Sequence, residues 1–114
     1  MILTTTDTIS GKEIETVFGT VKGNTIRARH VGHDIIAGLR TIVGGEIDEY
    51  TKLMGEAREQ AIDRMKADAC RMGANAVVGL RLTTSMIAKG AAEILAYGTA
   101  VKLKDEGLGS DGLE

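Results

Sequence analysis

The stretch DEYTKLMGEAREQAIDRMKADACRMGANAVVGLRL, residues 48–82, decides the fold. Its first part has a helical period. Tyr50, Leu53, Met54, Ala57, Ala61, Ile62, Met65, Ala69 and Met72 lie along one stripe, with Lys52, Glu56, Glu59, Asp63 and Lys66 opposite. Asp48 is placed as the N-cap. A helix from Asp48 to Met72 is roughly 37 Å long at 1.5 Å per residue. Gly73 stands where a C′ glycine ends a helix. The period then changes, and Ala76–Ser85 reads as a strand. The alanines of the stripe let the helix lie close to a sheet.

Outward from this core, Ala92–Leu103 is the last strand, joined to the previous one by a loop over Met86–Ala91 around Lys89-Gly90. Its two faces, Ile94, Ala96, Gly98, Ala100 and Leu95, Tyr97, Thr99, Val101, Leu103, are both nearly free of charge. Toward the N-terminus, Ile2–Thr5 and the β-branched run Glu13–Lys22 read as strands. Gly23-Asn24 reads as a hairpin turn, after which Thr25–His30 pairs back as a shorter strand. Ile35, Ile36, Leu39, Ile42 and Val43 predict another helix, with Asp34 in its first turn and Gly44-Gly45 ending it. The expected architecture is α+β: a small mixed or antiparallel sheet covered by two helices. Residues 1–104 make one domain and 105–114 a flexible, Gly-rich acidic tail.

The chain has 114 residues, 14 basic and 16 acidic, with 43% hydrophobic residues. That composition is globular. No apolar run approaches the ~20 residues of a membrane span. The near-neutral charge and 3% aromatic content leave neither an electrostatic footprint nor a stacking platform for nucleic acid. Met1–Thr6 has neither a basic nor an apolar signal region, and Cys70 is the single cysteine, so a reducing, cytoplasmic setting is expected. There is no Trp and one Phe. A core built from Ile, Leu, Val, Met and Ala in so short a chain hints that some apolar surface is buried against other subunits.

Ile9–Ile14, Asp34–Gly45 with Ala37-Gly38-Leu39-Arg40, Tyr50, Glu56-Ala57-Arg58, Gly73–Gly79 and Gly98–Val101 together resemble the YbjQ-like family. These are small bacterial and archaeal proteins that carry a heavy-metal-binding label. The resemblance covers nearly the whole chain except the tail. It implies an α+β, ring-forming subunit, a homopentamer, and no established activity.

Several residues bear on chemistry. His30 and His33 form His-x-x-His, and on a helix both rings share a face. A metal site needs a third and usually a fourth ligand. Cys70 is forty residues away on a helix, Asp34 and Glu46 have nothing further to support them, and two ligands alone are not a site. The histidines also lie outside the family pattern, so the metal label is not carried onto them. Cys70 falls near a helix C-terminus, which disfavours a thiolate, and reads as a small, partly buried hydrophobe. Gly107-Leu108-Gly109-Ser110-Asp111-Gly112 matches G-x-G-x-x-G without the strand, helix and distant acid that a dinucleotide site requires. Gly44-Gly45-Glu46 reads as a helix stop rather than an anion nest, and Arg27 and Arg29 as a solvated or interface strand edge. Arg40 and Tyr50 read as interface or structural residues.

No carboxylate dyad, nucleophile–base pair or phosphate loop emerges, so no catalytic or metal residues and no cofactor are assigned. A dodecin-like flavin carrier shares the small-subunit architecture, but there is no Trp to stack on a flavin. The leading expectation is a non-enzymatic, ring-forming protein that binds a small ligand, its partner being further copies of itself. A metal-binding protein is the first alternative. An enzyme with a site shared between subunits, using Arg40, Tyr50, Glu93 or the histidines, is the second.

Overall fold

The computed structural model describes residues 1–28 and 44–105, without the side chains of 44–50. The elements are β1 (Ile2–Leu3), β2 (Ile14–Ala28), α1 (Gly44–Met72), β3 (Ala76–Ala88) and β4 (Ala91–Leu103). They form a four-stranded sheet in the order β1-β3-β4-β2. β1 runs parallel to β3, and the other neighbours are antiparallel. The sheet is therefore mixed, with one described helix packed on one face. The expected helix over 34–43 lies outside the described residues.

α1 forms where the stripe predicts it. Ala57, Ala61, Met65 and Ala69 are fully buried, and Met54 and Ile62 pack at their margin. Facing them are Val21, Val77, Ile94, Ala96 and Ala100. Burying side chains the size of Met65 and Ile94 contributes roughly 1.5–3 kcal/mol each. The helix ends at Gly73, whose φ is +92°. Ala74 N donates to Ala69 O (3.1 Å) and Gly73 N to Cys70 O (3.0 Å), the pairing of a Schellman cap.

Three expectations are corrected. Gly23-Asn24 is not a turn, because β2 runs unbroken from Ile14 to Ala28 with Gly23 opposite Ala96 and Asn24 opposite Leu95. The physical reason is helix packing. A Cβ on Gly23 would come within 3.0 Å of the α1 backbone at Ala61, Arg64 and Met65. The glycine is there so that helix and strand can touch. Similarly, Gly44 and Gly45 lie inside α1, four residues ahead of the expected N-cap. The expected Met86–Ala91 loop shrinks to a tight turn at Lys89-Gly90, because β3 continues to Ala88 and β4 starts at Ala91.

α1 lies chiefly over β2, less over β4, and barely reaches β3. On the opposite face a smaller cluster joins Ala76, Val78, Val101 and Leu103 under Ile9 and Ile14. The N-terminal loop thus covers part of the face that one helical layer leaves open. Farther along the same strands the cover stops, and Tyr97 is 38% exposed.

Candidate functional site

The polar side chains nearest the helix–sheet seam tie the scaffold together. Thr25 Oγ1, buried, donates to Ala57 O (3.0 Å). Arg27 Nη2 donates to Gln60 Oε1 (2.7 Å), and Asn24 Nδ2 to Glu93 Oε2 (3.1 Å). Arg64 Nη1 donates to Asn24 O (2.7 Å), and Lys22 N to Asp68 Oδ2 (3.3 Å). Asp68 also pairs with Arg71 (3.1 Å). Glu93, expected as a shared-site candidate, is therefore a cross-strand tie, and Arg27 a strand–helix tie.

At the other end of the sheet, an open cleft of about 400 Å³ is lined by Lys12, Glu15, Asn75, Lys102, Leu103, Lys104 and Asp105. Asn75 builds its wall. Its Oδ1 accepts from Leu103 N (2.7 Å) and its Nδ2 donates to Leu103 O (3.4 Å), so the side chain acts as one more rung of the sheet. Lys104 N donates to Glu13 O (2.7 Å). Three lysines and two carboxylates line it, so the cleft brings both signs of charge together. The residue that sequence reasoning missed here is Asn75. Its signal was its place in Gly73-Ala74-Asn75-Ala76, between a helix cap and a strand.

The remaining candidate surface is apolar. Val17, Ile26, Met86 and Ile87 are each at least half exposed, and Phe18, Met72 and Leu82 are 38%, 41% and 41% exposed. Phe18 stands against Gly73 at the end of α1, while Leu82, Met86 and Ile87 lie on β3 beyond the residues paired with β1.

Most of the sequence-derived chemical candidates fall outside what the structure describes. His30, His33, Asp34, Arg29, Arg40 and the Gly107–Gly112 run lie outside the described residues, as do the side chains of Glu46 and Tyr50. Cys70 is described, and it is exposed rather than partly buried. It sits on the side of α1 away from the stripe of Ala57, Ala61, Met65 and Ala69. Among the described residues no three His, Cys, Asp or Glu side chains are grouped to hold a metal ion. No described helix is long and apolar enough to cross a membrane.

A helix packed on a small mixed sheet, with no assembled reactive group among the described residues, defines a class of α+β domain rather than a reaction. Comparison with known proteins places it within that class. Residues 1–104 match the YbjQ family, described as "Putative heavy-metal-binding", and the chain belongs to that family. A UPF0145 protein of Methanosarcina acetivorans is 61% identical over 103 residues, covering 90% of this chain and 97% of the relative. One from Archaeoglobus fulgidus is 55% identical over 104 residues, covering 91% and 96%. Among solved structures, a protein of unknown function of the DUF74 family from Pediococcus pentosaceus shares the fold. Its TM-score is 0.63 at 18% identity, over 91% of this chain and 98% of that one.

Proposed function

We propose that this chain is the subunit of a non-enzymatic cytoplasmic ring of five identical copies that binds a small ligand. The observation that carries the reading is the exposed apolar surface on both sides of one small sheet: Val17, Phe18 and Ile26 on β2, and Leu82, Met86 and Ile87 on β3. Single exposed apolar residues are ordinary, whereas groups of them on strands mark contact surfaces. A ring of identical subunits meets itself through two different surfaces of each copy, and such groups stand on two sides here. Native mass spectrometry of protein purified from its own host tests the reading. The expected mass is five times the 12.1 kDa subunit, plus any bound ligand. A subunit-sized particle at micromolar concentration overturns it.

The family description favours a second reading, heavy-metal binding. His30 and His33 are the residues to test, since a ring repeats the pair around its axis. Zinc, copper and nickel are titrated calorimetrically into chelator-treated protein. Stoichiometric sub-micromolar binding lost in His30→Ala or His33→Ala establishes this reading, and no binding by the unaltered chain removes it.

A further inference from the structure

β2, and β3 beyond its short pairing with β1, expose their backbone in ways that follow from a few hydrogen bonds. Leu80 N donates to Thr4 O (3.0 Å), so Leu80 turns its backbone groups to the outer side of β3. That direction recurs at every second residue of a strand. The N–H and C=O groups of Leu82, Thr84 and Met86 therefore also point outward. The far side of the sheet gives the same answer. Lys22 N turns out to Asp68, so its partner Tyr97 turns toward β3, and Arg81, paired with Tyr97, turns inward. Among the described residues, β1 and the loop after it take the backbone groups of this edge as far as Leu80, through Ile2 N to Asn75 O, Thr4 N to Val77 O, Gly79 N to Thr6 O and Leu80 N to Thr4 O. From Leu82 to Ala88 no described strand takes the outward groups.

Among the described residues this edge is open, and it lacks the usual protections. Leu82–Ala88 carries no charged side chain, and the chain has no proline. Leu82 and Met86 stand opposite Ala96 and Ala92, on the face that carries α1, yet they are 41% and 65% exposed because α1 leans over β2.

We propose that the Leu82–Ala88 edge of β3 is where one subunit receives the β2–α1 side of a second copy of this chain. The inference rests on the ring reading above and names its contact. A copy that lays its β2 beside β3 continues the sheet. It also brings its own α1, which lies over that β2, onto the face where Leu82 and Met86 stand uncovered. On β2, Lys22 N and Asn24 O are held by Asp68 and Arg64, so toward the C-terminal end of the strand Ile26, 55% exposed, and Ala28 are the outward positions left to pair. The contact uses two different surfaces, so its repetition gives a ring where the rotation divides the circle, and never a two-fold pair.

The test uses the full chain with light scattering behind size-exclusion chromatography, and circular dichroism to verify folding. Thr84→Pro removes an outward N–H without touching the β3–β4 ladder, and Met86→Lys puts a charge on the same edge. Ile26→Lys alters the opposite surface. Each variant alone is expected to run at the 12.1 kDa subunit mass. A mixture of Met86→Lys and Ile26→Lys, which retains one intact contact between unlike copies, is expected to give a species of twice that mass. If Thr84→Pro fails to fold, Met86→Lys decides, its side chain being mostly in solvent. An unaltered chain that is monomeric overturns both this inference and the ring reading. An assembled chain whose variants keep its mass overturns this contact alone. Assembly lost in Met86→Lys but kept in Ile26→Lys also overturns it, because β3 then pairs with something other than the β2 side.

Discussion

Along β2, the Lys22 amide goes to Asp68 and Arg64 reaches the Asn24 carbonyl, both from one face of α1. Along β3, the corresponding groups from Leu82 onward meet no described strand, and no side chain from Leu82 to Ala88 is charged. The difference follows from where the helix rests. α1 sits over β2 because Gly23 allows backbone-to-backbone approach and Ala57, Ala61 and Ala69 add little bulk. A helix drawn to one side of a four-stranded sheet protects that side and leaves the other exposed. One glycine thus decides which edge is guarded.

Breaking that seat is expected to give the largest effect. Gly23→Ala places a methyl group against the α1 backbone, where no flexible side chain can yield. The helix must move off β2, at a cost on the order of 3 kcal/mol. Urea unfolding checks it, with a lowered midpoint expected. Gly55→Ala is the control of opposite sign. Its Cβ would meet only the Arg58 guanidinium at an ordinary 3.7 Å. Replacing a helix-interior glycine there is expected to raise stability by about 0.5–1 kcal/mol. Equal midpoints for the two variants would mean that the helix is not seated by Gly23.

The next effect lies at the end of α1, which holds the helix in register over β2. Gly73 has φ +92°, a conformation in which a β-branched side chain clashes. Gly73→Val is expected to cost on the order of 1–2 kcal/mol, and Gly73→Asn distinctly less. Thermal unfolding of the pair gives the comparison, and equal stabilities would exclude a left-handed cap.

The helix seat was legible in part. The stripe from Met54 to Ala69 and the Gly73 stop could be read because α-helical period and capping are local properties. The β3–β4 hairpin could be read because Lys89-Gly90 separates two β-branched runs. Gly23-Asn24 misled for a physical reason: a glycine that admits a neighbouring backbone and a glycine that turns a chain look alike in sequence. The distinguishing signal was the alanine stripe, which needs a bare strand position to rest on. The chemical candidates were less informative. His30, His33 and Arg40 lie outside the described residues, and Glu93 and Arg27 are occupied by Asn24 and Gln60. Asp68 and Arg64, which guard β2, read in the sequence only as the solvated face of a helix. Their partners are backbone groups 46 and 40 residues away, and no local pattern encodes them.

Assembly sharpens the contrast between the edges through concentration. If β3 is covered only in the assembled protein, its contribution to stability grows with protein concentration. The melting midpoint of the unaltered chain is expected to rise from low micromolar to high micromolar protein. That of Met86→Lys is expected to stay constant. A constant midpoint for both would leave the open edge without a role in stability.

The smallest expected effect is at the guards themselves. Asp68 is only partly buried, its bond to the Lys22 amide is 3.3 Å long, and its pairing with the exposed Arg71 is a surface ion pair. Contacts of this kind contribute little, because water replaces them readily and long side chains lose entropy in forming them. Asp68→Ala is therefore expected to change unfolding stability by no more than about 0.5 kcal/mol. Its informative consequence is elsewhere. The substitution frees the Lys22 N–H without disturbing Gly23 or the alanine stripe, so it separates guarding the edge from seating the helix. Amide exchange read by NMR is expected to quicken at Lys22 and to remain unchanged at Val21, whose N–H faces β4 in the alternating ladder. Equal quickening at both amides would mean that Asp68 holds the strand in place rather than covering its edge, and the contrast with β3 would then rest on Gly23 alone.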